Sequence, residues 1–234
     1  MPKKNILPAA PVKSAPPISF TQADLFIIES LRLKDEQAQL FEGKVMSNIL
    51  AMCGKKPIYY YFRTPDELVM LADEFRQSGY RYLHLSCHGH QQGIETTLGL
   101  VSADRFSDIF ADKLKNRRLF ISACSIGKGQ MPELVRDKNK GMYSIVSPLD
   151  DIRFNRAAGI WAAFYLRMFE SSAQHTGVDG QGKPSSKLLK NEEIRKSLVH
   201  LCRLFDVRFK WSYHNAKHDE WVDEVIPEPV RLRR

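Results

Sequence analysis

Residues 81–90 read RYLHLSCHGH. Tyr82, Leu83 and Leu85 give a short apolar run after Gly79, the pattern of a buried strand, and the run stops in Cys87, His88, Gly89 and His90. A buried strand does not need those last side chains, and the question is what they are for.

The same alternation of short apolar runs and helical spacings extends to both sides. Upstream, DLFIIES (24–30) reads as a buried strand, and Phe41, Val45, Ile49 and Met52 recur at helical spacing until Gly54. IYYYF (58–62) is an aromatic strand. Thr64-Pro65-Asp66-Glu67 is a helix start, with threonine as cap and proline in the first turn, and Leu68, Leu71, Ala72 and Phe75 form the inner face. Downstream, GHQQGIETTLGL leads to a short helical pattern from Ser102 to Leu114, and RLFISAC (118–124) is another strand. MYSIVS (142–147) is a fifth, Arg156–Phe169 a well-buried helix, and Ile194, Leu198, Leu201 and Phe205 mark a last amphipathic helix before VRFKWSY (207–213).

Strand and helix in succession predict an α/β fold, a mostly parallel sheet with helices on both faces. In such sheets reactive groups collect at the carboxyl ends of the strands. Two strands end that way, one in His88 and the other in Cys124. If these strands are neighbours, the 35 residues between His88 and Cys124 suffice for a helical crossover, and both side chains emerge at one edge. A thiol with an ordinary pKa near ~8.5 is mostly protonated at neutral pH, and an adjacent imidazole takes its proton during attack on a carbonyl. Gly89, with no side chain, lets its N–H approach the carbonyl oxygen; with the N–H of Cys124 it is a candidate oxyanion hole. Taken singly, a strand-end cysteine is more often a small buried hydrophobe and a lone histidine a satisfied polar residue. Their joint placement at two strand ends brings the chemical reading level with the packing one.

Composition bounds the alternatives. The chain has 234 residues, 43% apolar and 26% charged, as in soluble globular proteins. No run approaches the ~18 apolar residues of a membrane span. The net charge is +8, but Lys3, Lys4, Lys13, Arg231, Arg233 and Arg234 put six of those charges in the tails, so no basic face for nucleic acid is expected. Residues 1–17, with five prolines, read as a flexible arm, 18–226 as a single domain and 227–234 as a basic tail. The N-terminus lacks the apolar segment of a secretory signal, which predicts a cytoplasmic protein. The four cysteines have neither disulfide-framework nor zinc spacing, and no metal or cofactor is expected.

HLSCHGH followed by LGLVSADRFSDIFADKLKNRRLFISACSIG resembles the catalytic half of the caspase-like cysteine peptidases of clan CD, and within them the CHAT group. The slots filled are the strand-terminal His88-Gly89, then Leu98-Gly99-Leu100 and Asp108-Ile109, then Ser122-Ala123-Cys124. The resemblance spans roughly residues 20–215, its specific part being 81–127. It implies the caspase-like (caspase–hemoglobinase) three-layer fold, His88 as general base and acid, Cys124 as nucleophile and Gly89 as oxyanion donor. The pattern Q-A-C-x-G is not met, since Ser122 stands for the glutamine and Gly127 comes three residues after Cys124, so aspartate specificity is not supported. Relatives that cut after basic residues place acids around the first specificity pocket, which makes Glu29, Asp150 and Asp151 candidates.

Among the remaining features, alternation turns Cys87 away from His88 and into packing. His90 is assigned a supporting or loop role. SIGKGQM (125–131) lacks P-loop spacing, and His214 and His218 lack the setting of metal ligands. SSAQHTGVDGQGKPSS (171–186) reads as a mobile loop and candidate regulatory segment. The leading expectation is a cysteine endopeptidase acting on a protein substrate, a regulated effector in prokaryotic (including antiviral) defence or programmed death that waits for a sensor protein. The alternatives are a catalytically silent interaction module and a nucleotide-binding α/β domain built on SIGKGQM.

Overall fold

The structure, a computed structural model, describes residues 21–173, 176–178, 184–186 and 190–228, with side chains for 21–169 and 190–228. The arm at 1–17 lies outside the described residues, as do most of the 227–234 tail and much of the 171–186 loop.

The described residues begin with β1 (Gln22–Glu29), the five-residue helix α1 (Leu33–Gln37), α2 (Glu42–Met52), β2 (Ile58–Tyr61), α3 (Pro65–Ser78) and β3 (Tyr80–Ser86). A small antiparallel sheet follows, made of β4 (His88–His90), β5 (Gly93–Thr96) and β6 (Gly99–Ser102). Next come α4 (Ala103–Ile109), β7 (Arg118–Ser122), α5 (Met131–Asp137), β8 (Ser144–Pro148) and the long α6 (Phe154–Ala173). The hairpin of β9 (Thr176–Val178) and β10 (Pro184–Ser186), then α7 (Asn191–Phe205), β11 (Phe209–Asn215) and β12 (Glu220–Ile226), complete the described elements.

The main sheet has seven strands in the order β12-β11-β8-β7-β3-β1-β2. The five from β8 to β2 run parallel, and β11 and β12 are antiparallel additions. Side-chain alternation divides the core into two layers. Phe26, Ile28, Leu83, Leu85, Leu119 and Ile121 pack with α3, α4 and α5 on one face, while Leu25, Ile27, Tyr82, Phe120 and Val146 pack with α2, α6 and α7 on the other. This is the expected three-layer α/β architecture, and β3 and β7 are neighbours, with Ser86 opposite Ser122. Among the described residues no helix is long and apolar enough to cross a membrane.

Local signals account for α3, where the Thr64 side chain accepts the Glu67 N–H and Glu67 Oε2 accepts the Thr64 N–H, a reciprocal cap ahead of Pro65. Helix α2 is different. Its inner face is Glu42, Gly43, Met46 and Leu50, whereas Val45 and Met52 of the expected stripe are 46% and 80% exposed. A buried glutamate at the head of the helix breaks the apolar pattern and shifts the stripe read from hydrophobicity alone. The small sheet is also absent from the sequence reading, because its strands have three or four residues and only Ile94 and Val101 serve as buried apolar anchors.

Candidate active site

Strands β3 and β7 end side by side, and the chain leaves the sheet in two directions. After β3, the Cys87 N–H still bonds to the Ser122 carbonyl, and then β4 starts at His88. After β7, Cys124 follows Ala123 in a tight turn whose next residue, Ser125, has φ 57°. Gly89 permits this approach: a Cβ there would stand 2.8 Å from the Ala123 Cβ. His88 and Cys124 line one cavity of about 430 Å³, together with Asp35, Glu42, Ile152 and Phe154.

His88 Nε2 lies 2.7 Å from Asp35 Oδ2, with the two side chains 21% and 13% exposed. An ionised carboxylate only accepts, so Nε2 carries the proton and Nδ1 keeps its lone pair. Nδ1 has no hydrogen-bond partner among the described residues. The Phe154 ring stands edge-on to the imidazole at 5.1 Å between centroids and walls off one side. Cys124 is half-buried, and its Sγ–H points to the Ile152 carbonyl at 3.8 Å. Burial pushes its pKa up, and the Asp151 carboxylate acts in the same direction, so the resting thiol is protonated near neutral pH.

Behind the cavity lies a second polar group that the sequence did not announce. Glu42 Oε1 is 3.3 Å from His84 Nε2, His84 Nδ1 is 2.8 Å from the Tyr165 hydroxyl, and Ser122 Oγ donates to Glu42 Oε2 at 3.0 Å. Burial pushes the Glu42 carboxyl up to about 8, against the Ser122 hydrogen bond, and pushes His84 down to about 3. Both are neutral near pH 7.

The expected pocket acids separate. Glu29 is fully buried and accepts from the backbone N–H groups of Gly43 and Lys44 and from the Tyr59 hydroxyl, at 2.7, 3.2 and 2.8 Å. It tethers the start of α2 to the sheet and lines neither cavity, which corrects the expectation of a specificity role: the strand end that carries it is covered by the helix. Asp150 also lines neither cavity and is engaged by Arg208 through Nε, Nη2 and the backbone N–H, at 3.0, 2.6 and 3.0 Å. Asp151 does reach the site, in a second, polar cavity of about 460 Å³ shared with Gly89, His90 and Ser125, and Ser125 Oγ donates to it at 2.8 Å. Cys87 is buried in the α3–α5 layer with its thiol pushed up by burial, although it also touches the first cavity. His90 bonds to Gln92 at the rim. In SIGKGQM the close approach of Gln91 fills the space at Gly129, where a Cβ would stand 1.8 Å from the Gln91 carbonyl oxygen. His214 pairs with Asp219 at 3.1 Å.

Asp35 is the site residue the sequence reading missed. It sits in LKDEQ, between Lys34 and Glu36, a composition that reads as a solvated turn of helix. The available signal was its place just beyond the carboxyl end of β1, next to β3 in the sheet.

No family model matches the chain, and no curated protein matches it. Solved structures do. Gingipain R (RgpB), described as an Arg-specific cysteine proteinase, aligns with a TM-score of 0.46 at 14% identity over 77% of this chain and 42% of its own. "Iotapain", a secreted C11 cysteine protease from Bacteroides thetaiotaomicron, aligns with a TM-score of 0.49 at 9% identity over 83% of this chain and 66% of its own. The chain therefore spans less than half of the first and about two thirds of the second.

Proposed function

We propose that the protein is a caspase-like cysteine endopeptidase in which Cys124 is the nucleophile and His88 the general base and acid. The observation that carries this reading is the cavity shared by the two side chains, with His88 Nε2 held by Asp35 at 2.7 Å and Nδ1 left open. In the reaction, Nδ1 takes the thiol proton as sulfur bonds to the carbonyl carbon, and Asp35 stabilises the imidazolium that results. The N–H groups of Gly89 and Cys124 receive the oxyanion. The imidazolium then protonates the leaving amine, the C–N bond breaks, and a thioester remains. Water, deprotonated by His88, attacks the thioester and releases the acid and the free thiol. Because burial keeps the resting thiol protonated, proton transfer accompanies attack and does not precede it.

The motif resemblance over residues 81–127 supports assignment to the CHAT group and, with it, a cytoplasmic effector of prokaryotic defence or programmed death that acts on a protein substrate and awaits a protein partner. The test is co-expression with proteins encoded nearby, with new termini read by mass spectrometry. Cys124→Ala is expected to abolish every new terminus while leaving the thermal unfolding transition in place. Cleavage that persists in this variant contradicts the assignment.

A further inference from the structure

The bond between His88 and Asp35 joins two very short elements. Strand β4, which starts at His88, has three residues, and helix α1, which carries Asp35, has five and no side-chain cap at Arg32. Neither is long enough to fix the angle between imidazole and carboxylate unaided. A second bridge spans the same two segments: Arg32 Nε donates to Glu95 Oε2 at 2.6 Å. In the register of β4 with β5, Glu95 stands directly opposite His88, and opposite residues of an antiparallel pair have their Cβ atoms about 5 Å apart on one face. At the helix end, the Asp35 N–H bonds to the Arg32 carbonyl at 2.9 Å. Asp35, His88, Glu95 and Arg32 therefore form a closed ring, with a hydrogen bond or a strand pairing along every edge.

The ring is anchored from two sides. Thr97, two residues after Glu95, donates through Oγ1 to the Leu31 carbonyl at 2.6 Å and through its N–H to Ser30 Oγ at 3.0 Å. Glu36, next to Asp35, accepts from the Tyr61 hydroxyl of β2 and from Arg63 Nη2, the latter at 2.8 Å. The Arg32–Glu95 edge itself adds little stability, since its side chains are 44% and 22% exposed and a surface ion pair contributes about 0–1 kcal/mol. Its consequence is geometric. A displacement of about 1 Å at a reacting group costs on the order of a hundredfold in rate.

We propose that Arg32 and Glu95 are positioning residues: their ion pair sets the angle at which Asp35 meets His88, and so keeps Nδ1 turned toward the cavity shared with Cys124. This rests on the cysteine-peptidase reading and extends its machinery to two residues that line neither cavity.

The experiment compares the full chain with Arg32→Gln, Glu95→Gln and the double variant in three readouts: iodoacetamide alkylation of Cys124, the proton signal of His88 Nε2–H in ¹⁵N-histidine-labelled protein, assigned with His88→Gln, and thermal unfolding. Each single variant is expected to slow Cys124 by about fivefold, and the double variant to lose no more than either, as for two residues acting through one contact. The Nε2–H signal, sharp in the wild type, should be lost in all three, while Tm stays within about 2 °C. Asp73→Asn, which breaks the surface pair with Lys113 on α3, should change neither rate nor signal. The two single variants alter the net charge in opposite directions, so a purely electrostatic influence would speed Cys124 in one and slow it in the other. That outcome, additive losses in the double variant, or an Nε2–H signal that persists in both single variants overturns the inference. A wild-type Cys124 with no His88-dependent reactivity removes the peptidase reading, and the Nε2–H signal then decides the role of Arg32 and Glu95 by itself.

Discussion

Two imidazole–carboxyl pairs stand four residues apart along β3 and its continuation: His84 with Glu42 at 3.3 Å and His88 with Asp35 at 2.7 Å. Each joins this strand to the segment that follows β1. In the first pair the side chains are 0% and 1% exposed; in the second, 21% and 13%. That difference separates their roles. Full burial makes charge too costly on either partner, so Glu42 stays protonated, His84 stays neutral, and the pair becomes a hydrogen-bonded strut beneath the cavity floor. In the second pair the Asp35 carboxylate accepts from one ring nitrogen of His88, and the other nitrogen keeps its lone pair as a base. The same two functional groups thus give rigidity in one place and proton transfer in the other, with solvent access as the controlling variable.

Stability measurements should separate the pairs most widely. Replacing His84 by Gln removes a ring packed against Trp161 and Tyr165 at 5.2 and 5.6 Å and strands two buried partners. The expected loss is roughly 3 kcal/mol in urea unfolding. His88→Gln should cost less than about 1 kcal/mol, because its site is open to water. Equal losses would erase the distinction.

The pH dependence of stability sharpens it further. Glu42 holds its proton in the folded protein up to about pH 8 but loses it near 4.5 when unfolded, and burial holds Glu29 at about 7. Across those windows the native state binds more protons than the unfolded chain, so stability falls as pH rises. His84 works at the acid end: its unfolded ring gains a proton near 6.5, the folded one only near 3, so stability falls as pH drops through that range. The curve should therefore be domed. Glu42→Gln should flatten its alkaline side by on the order of 2 kcal/mol between pH 5 and 8, and an unaltered slope would mean that Glu42 is ionised in the fold. The smallest effect belongs to Asp150. Its surface fork with Arg208 is exposed, and Asp150→Ala should lower Tm by no more than about 2 °C.

These pairs were unequally legible in the sequence. His88 and Cys124 stand where apolar runs stop, and pattern reading finds such places directly; the parallel pairing of β3 with β7 then brings them together. Glu42 and His84 were hidden for the opposite reason: each interrupts an apolar stripe, so periodicity discounts it. For Glu42 the discount moved the expected face of α2 onto Val45 and Met52, which are solvent-facing. Asp35 was hidden because its neighbours are polar and its burial depends on a tertiary contact with His88. The small sheet β4–β6 escaped because strands of three or four residues carry too little alternation to register.

The most direct test is the rate of iodoacetamide alkylation at Cys124 from pH 5 to 10, with exposed Cys53 in the same molecule as reference. A working base should make Cys124 react at least about tenfold faster than Cys53 near pH 7, with His88→Gln removing the excess and Asp35→Asn removing most of it, while Cys53 is unaffected. A Cys124 rate that is the same in the wild type and in His88→Gln at every pH would contradict the pairing on which the proposed activity depends.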